Sequence, residues 1–103
     1  MLTQLTSANY KETIAATDQG VIIFFKKLCA HCKNMEKVLE KFGAQRPGVA
    51  LFAIDSEEEP AAMQEYDAER TPTIVVIKGG KNVATKKGLM NPREMASFFD
   101  QAK

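Results

Sequence analysis

The sequence predicts an α/β fold with one mixed central β-sheet, in the order βαβαβαββα, flanked by helices on both faces. Two observations set the parallel part. The apolar runs Val21 to Phe25 and Val49 to Ile54 are each followed by a helical pattern, and strands joined through helices pair in parallel by right-handed crossovers and are buried on both faces. A third sets the antiparallel part. Thr73 to Ile77 is again apolar and β-branched, and the Gly79-Gly80 turn links it to a partner strand over Lys81 to Lys87, which makes a hairpin. A chain of 103 residues, 45% of them hydrophobic, is expected to form one domain over residues 1–103.

Taken in order, Met1 to Thr6 is expected to form a short edge strand. Ser7 is placed to cap a first helix over Ala8 to Thr17 with Tyr10 and Ile14 on one face, and Asp18-Gln19-Gly20 to stop it. After the first apolar strand come Cys29 and Cys32, and then Met35, Val38, Leu39 and Phe42 at helical spacing with Gly43 just beyond. This is an amphipathic helix that starts at the cysteines, is expected to end at Gly43, and turns Met35, Val38 and Phe42 into the core. Ser56 and Glu59 have capping-box spacing for a third helix reaching to about Glu69. In the hairpin, Val83 and Thr85 are expected on one face. Asn91 caps the last helix with Pro92 at its first position, and Met95, Phe98, Phe99 and Ala102 form its apolar stripe.

Charged residues make up 26% of the chain and the net charge is +1, so no global field points to nucleic acid or an anionic membrane. No run approaches the roughly 18 apolar residues of a membrane span, and Met1 opens a polar stretch instead of a leader pattern. A cytoplasmic monomer is expected. The chain has two cysteines and one histidine, against the about four ligands of a zinc or iron–sulfur site. No metal or other cofactor is expected beyond a redox-active Cys29–Cys32 disulfide, with a metal shared across a dimer as the open alternative.

Two cysteines three residues apart at a helix start lie on neighbouring positions of the first turn, beside unsatisfied backbone N–H groups. Those groups and the positive end of the helix dipole favour a thiolate. Cys29, at the mouth of the loop, is therefore the candidate nucleophile, and Cys32, one turn inside, the resolving thiol. His31 between them can tune the thiolate by a hydrogen bond or, when protonated, by charge. Lys26, Lys27 and Lys33 either add to that field or form a solvated face. The segment from Asp55 to Glu69 holds seven acids and no base and reads as a solvated helix or a recognition face.

The motifs Leu28-Cys29-Ala30-His31-Cys32-Lys33, Arg70-Thr71-Pro72-Thr73, Gly79-Gly80-Lys81 and Lys87-Gly88 together resemble the thioredoxin family over nearly the whole chain. The resemblance implies the thioredoxin fold and thiol–disulfide exchange with protein disulfides, with an upstream disulfide reductase as electron donor. It also implies that Pro72 is cis, that Thr71 offers backbone hydrogen bonds to a bound peptide, and that Leu28, Ala30 and Gly88 line the peptide groove.

Departures from the family pattern are equally specific. Leu28 stands where a tryptophan is usual, and Ala30-His31 replaces Gly-Pro, a histidine there being closer to the disulfide-forming and isomerising branches. Ile23 and Leu51 replace a buried acid and its lysine partner, which removes the expected proton acceptor for Cys32 and predicts slower resolution unless His31 or a water takes the proton. The leading expectation is a reductase with a shifted redox potential. Its rivals are a disulfide oxidant or isomerase, and a non-catalytic binding module with a redox-responsive disulfide.

Overall fold

A computed structural model describes residues 2–103, so the Met1 end of the expected first strand lies outside the described residues. The elements are β1 (Thr3–Leu5), α1 (Tyr10–Ala15), β2 (Gln19–Phe25), α2 (Ala30–Gln45), β3 (Ala50–Asp55), α3 (Pro60–Glu65), β4 (Thr73–Lys78), β5 (Lys81–Lys87) and α4 (Pro92–Gln101). They follow the expected order. The sheet runs β1-β3-β2-β4-β5, with β1, β3 and β2 parallel and β4 and β5 antiparallel to their neighbours. Among the described residues no helix is long and apolar enough to cross a membrane.

The period of two in the strands sorts their side chains into two cores. Val21 and Ile23 face one side and Ile22 and Phe24 the other, and all four are fully buried. The first side is covered by Met35, Leu39 and Phe42 of α2 and by Met95 and Phe99 of α4; the second is covered by Tyr10 and Ile14 of α1 and Ala62 of α3. β2 is thus the central strand, enclosed on both faces and hydrogen-bonded on both edges. Its C-terminal end leads to the cysteines.

Several local expectations are corrected. α1 starts at Tyr10, and Ser7 does not cap it: the Asn9 side chain instead accepts the Thr6 N–H at 2.8 Å, and Ser7 N donates to Glu59 Oε1 at 2.7 Å. Gln19 and Gly20 do not stop a helix but open β2. α2 runs through Gly43 to Gln45, because that glycine faces Leu51 of β3, where a Cβ would sit 2.5 Å from Leu51 Cδ1. Val38 is only partly buried at the edge of the core.

The third helix is shorter than expected and begins at Pro60, with no side-chain cap from Glu59. Ser56 is not half of a capping box; it turns inward and donates its hydroxyl to the Ala68 carbonyl at 2.9 Å. The helix ends before Glu69 because Asp67 adopts φ 52° and Ala68 N bonds back to Met63 O at 2.9 Å, the 6→1 closure of a Schellman motif. In β5 a register shift opposite Val76/Ile77 leaves Val83 unpaired. Val83 therefore packs with Ala84 on the α2/α4 side, and does not share a face with exposed Thr85.

The last helix forms as read, with Asn91 and Glu94 exchanging both bonds of a capping box. Its far end is closed by Lys78, whose ammonium donates to the Phe99 and Ala102 carbonyls, both at 2.7 Å. These contacts place a cation on carbonyls at the C-terminal end of the helix.

The β4–β5 hairpin tip docks on the end of α1 through Gly79 N to Asp18 O at 2.7 Å and Gly80 N to Thr17 O at 2.8 Å. Both glycines have positive φ, but a Cβ on Gly80 would meet the Ala15 carbonyl oxygen at 2.6 Å while one on Gly79 would meet open space. A left-handed non-glycine residue costs roughly 1–2 kcal/mol, and overpacking adds roughly 1–3 kcal/mol. Gly80→Ala is therefore expected to lower the melting temperature clearly more than Gly79→Ala, measured by thermal unfolding. Equal losses would mean that the tip is not seated on α1.

Candidate active site

β2 ends at Phe25, and the chain passes through Lys26, Lys27 and Leu28 before α2 begins at Ala30. Cys29 is the N-cap of α2. Its backbone is extended, at φ −141° and ψ 103°, and its Sγ accepts the Cys32 N–H at 3.2 Å. The sulfur thus takes one of the N–H groups that a helix start leaves without a partner. Cys29 and Cys32 form a disulfide with their Cα atoms 5.3 Å apart. Cys29 is half-buried whereas Cys32 is only 1% exposed. The two sulfurs therefore differ in access as well as in electrostatics.

A second segment reaches the same sulfur from across the fold. The Thr71 hydroxyl donates to Cys29 Sγ at 3.5 Å, and the Thr71–Pro72 peptide is cis. Thr73, the first residue of β4, fixes this turn with a hydroxyl bond to the Arg70 carbonyl at 2.5 Å. Pro72 itself lacks an N–H, and its carbonyl accepts the Gly88 N–H at 2.8 Å. Gly88 has φ 102°, a conformation that favours glycine. The loop beyond it is tied to α2 by Met90 N, which donates to Met35 Sδ at 3.4 Å.

Cys29, Cys32, Thr71, Pro72 and Gly88 are therefore linked through one chain of contacts around the disulfide. Leu28 is wholly exposed beside it, and Ala30 is also at the surface. His31 stands apart from this network: it is exposed, and among the described residues the hydrogen bonds to Cys29 Sγ come from Cys32 N and Thr71 Oγ1. The lysine field is thinner than the sequence alone suggests, since Lys27 pairs with Glu58 at 3.4 Å.

Sequence reasoning missed two members of this surface. One is the Thr71 hydroxyl contact, which spans 42 residues and leaves no local pattern. The other is Leu89, 46% exposed, which with Leu28 makes up the large exposed hydrophobic residues among the described residues. Its signal was an apolar side chain wedged between a groove glycine and a helix cap, where polar residues are usual.

The core under α2 is apolar. Ile23 and Leu51 join Met35 and Leu39 in the core on the α2 side. Among the described residues no three His, Cys, Asp or Glu side chains gather as a metal site requires. What the arrangement can do is exchange a disulfide: one accessible sulfur at a helix N-terminus, one shielded sulfur in covalent reach, and a donor-free edge at Pro72 where a second chain can approach.

Comparison with known proteins agrees with this geometry. The Thioredoxin family model matches residues 1–101. Thioredoxin-2 of Saccharomyces cerevisiae is 34% identical over 90 residues, 85% of this chain and 86% of that protein. A thioredoxin of Chlamydia trachomatis is 30% identical over 103 residues, covering 98% of each chain. Among solved structures, the reduced form of desulfothioredoxin from Desulfovibrio vulgaris Hildenborough is 41% identical, with a TM-score of 0.86 over 96% of this chain and 95% of that one. With a disulfide at the head of α2 and a family match along almost its entire length, the chain belongs to the thioredoxin family of thiol–disulfide oxidoreductases.

Proposed function

We propose that this oxidoreductase works as a reductase of protein disulfides, with Cys29 as nucleophile and Cys32 as resolving thiol. One observation carries the assignment. Cys29 is half-buried and its sulfur accepts an N–H at the start of a helix of 16 residues, while Cys32 is buried.

In the forward reaction the Cys29 thiolate attacks one sulfur of the substrate disulfide, and the other sulfur leaves as a thiolate that takes up a proton. Cys32 then loses its proton and attacks Cys29 Sγ, breaking the mixed disulfide and releasing the second substrate thiol. Two electrons pass from the dithiol to the substrate. The resulting Cys29–Cys32 disulfide is returned to the dithiol by an upstream disulfide reductase acting as electron donor. This direction fits the reducing cytoplasm that we infer as the protein's setting, where it acts as a monomer.

The other residues bind or tune. Thr71 offers its backbone to the incoming peptide and its hydroxyl to the Cys29 sulfur, while Pro72 presents a surface with no competing donor. Gly88 keeps the opposite wall low, and Leu28 and Ala30 give the rim apolar contact. His31 and the lysines Lys26 and Lys33 act on the thiolate through space. The feature that leaned toward the oxidising branches, His31, is exposed and among the described residues the hydrogen bonds to the Cys29 sulfur come from Cys32 and Thr71, which favours the reductase reading.

Two outcomes test these roles. Cys32→Ser is expected to accumulate mixed disulfides between Cys29 and its protein substrates, seen as dithiothreitol-sensitive adducts on non-reducing gels. A variant that holds its partners unchanged, with no covalent adduct, would instead support a binding module. Thr71→Val and His31→Ala are both expected to raise the pKa of Cys29, read from thiolate absorbance. Added salt should erase the His31 effect, which acts across water, and leave the Thr71 effect, which is a direct contact. A salt-insensitive His31 effect larger than that of Thr71 would reverse their assigned roles.

A further inference from the structure

Resolution requires Cys32 to lose a proton, and its surroundings oppose this. The thiol is 1% exposed, and burial disfavours the charged thiolate. Ile23 and Leu51, in the core under α2, carry no titratable group, and His31 is exposed. Asp55, the carboxylate at the end of β3, is occupied by the Glu57 and Glu58 N–H groups at 2.9 and 3.2 Å, where it shapes a turn.

One acid is differently placed. Glu36 lies four residues after Cys32 on α2 and is only partly exposed. Residues at i and i+4 share a helix face with Cβ atoms roughly 5–6 Å apart. Helical side chains also lean toward the N-terminus, so an acid at position 36 extends along the face that it shares with position 32. It lines a shallow groove with Glu40 above and Leu2, Gln4, Phe25 and Ala53 as the sheet side. None of those four residues titrates, and among the described residues the charges bearing on Glu36 are its helix neighbours Glu40 and Lys33. Burial, reinforced by Glu40 and opposed by Lys33, raises its pKa above the ordinary carboxylate value, which brings it closer to that of a thiol.

From this placement we infer that Glu36 is the proton acceptor for Cys32 in the resolving step. The inference rests on the reading that Cys29 attacks and Cys32 resolves. The Cys32 proton passes to a Glu36 carboxylate oxygen, and the freed electron pair on Cys32 Sγ forms the bond to Cys29 Sγ. The bond from Cys29 to the substrate breaks, and the substrate sulfur leaves with that pair and is protonated by water. Glu36 then releases its proton to solvent along the open groove.

The reaction of the reduced protein with 5,5′-dithiobis(2-nitrobenzoate) separates the steps. One thionitrobenzoate is released when Cys29 attacks and a second when Cys32 resolves. Glu36→Gln is expected to leave the first phase unchanged and to slow the second by at least about tenfold near neutral pH, within the usual range for a positioned base. The deficit should shrink as pH rises and Cys32 ionises unaided, and Glu36→Asp should recover part of the rate.

Stability gives a readout that a structural role would move the other way. An acid whose pKa is raised by folding binds protons more tightly in the folded state, so its ionisation costs stability above the unfolded pKa. Glu36→Gln should therefore be at least as stable as the wild type at neutral pH. A second phase with wild-type rate and pH profile in Glu36→Gln would overturn the inference, as would equal slowing of both phases accompanied by lost stability. A wild-type protein that releases only one thionitrobenzoate would overturn the underlying reading of Cys32 itself.

Discussion

Helices need a hydrogen-bond acceptor at their first turn, and most obtain it from a serine, threonine, aspartate or asparagine oxygen. In α2 the acceptor is the sulfur of Cys29. The reactive atom is thereby built into the start of the structural element that activates it. Its position is set from both sides: β2, buried on both faces, delivers the chain to the cap, and Met35, Leu39 and Phe42 press the helix onto the sheet. The backbone that carries this sulfur is thus anchored by the core on both sides of the cap. Chemistry and stability draw on the same contacts here.

The other half of the site depends on the sheet order. Because β4 lies beside β2, the Thr71–Pro72 turn that precedes β4 meets the loop that follows β2. Because β5 pairs with β4, the Gly88 that follows β5 meets the Pro72 that precedes β4. Three segments far apart in sequence converge on one sulfur through two strand pairings. The apolar Ile23 and Leu51 leave the core under α2 without a charge, which spares it an ion pair with a desolvation cost. They also shift the proton chemistry of Cys32 outward, to the edge of α2.

Much of this was legible in the sequence, and the boundary follows range. β2, the cysteine start of α2, the Gly79-Gly80 hairpin and the Asn91-Pro92 cap are encoded within a few residues and appear as read. The failures involve residues whose hydrogen bonds go elsewhere. Ser7 and Ser56 look like caps, but one yields its backbone to Glu59 and the other turns its hydroxyl to Ala68. Gly43 looks like a stop, yet its small size serves packing against Leu51, and Val83 breaks alternation through a register shift that leaves no mark in composition. In the site, Cys29, Cys32, Pro72 and Gly88 were found through their motifs. The hydroxyl of Thr71, the exposed side chain of Leu89 and the placement of Glu36 required the tertiary fold, since an acid on a helix reads by itself as one more solvated charge.

The central claim is that the two thiols are unequal because one caps a helix at the surface and the other lies beneath it. Limited alkylation of the reduced, folded protein with iodoacetamide below the ordinary thiol pKa range, followed by peptide mapping, tests this most directly. The account predicts label on Cys29 alone, with Cys32 protected until the protein is denatured. Equal label on both cysteines, or preference for Cys32, would contradict it.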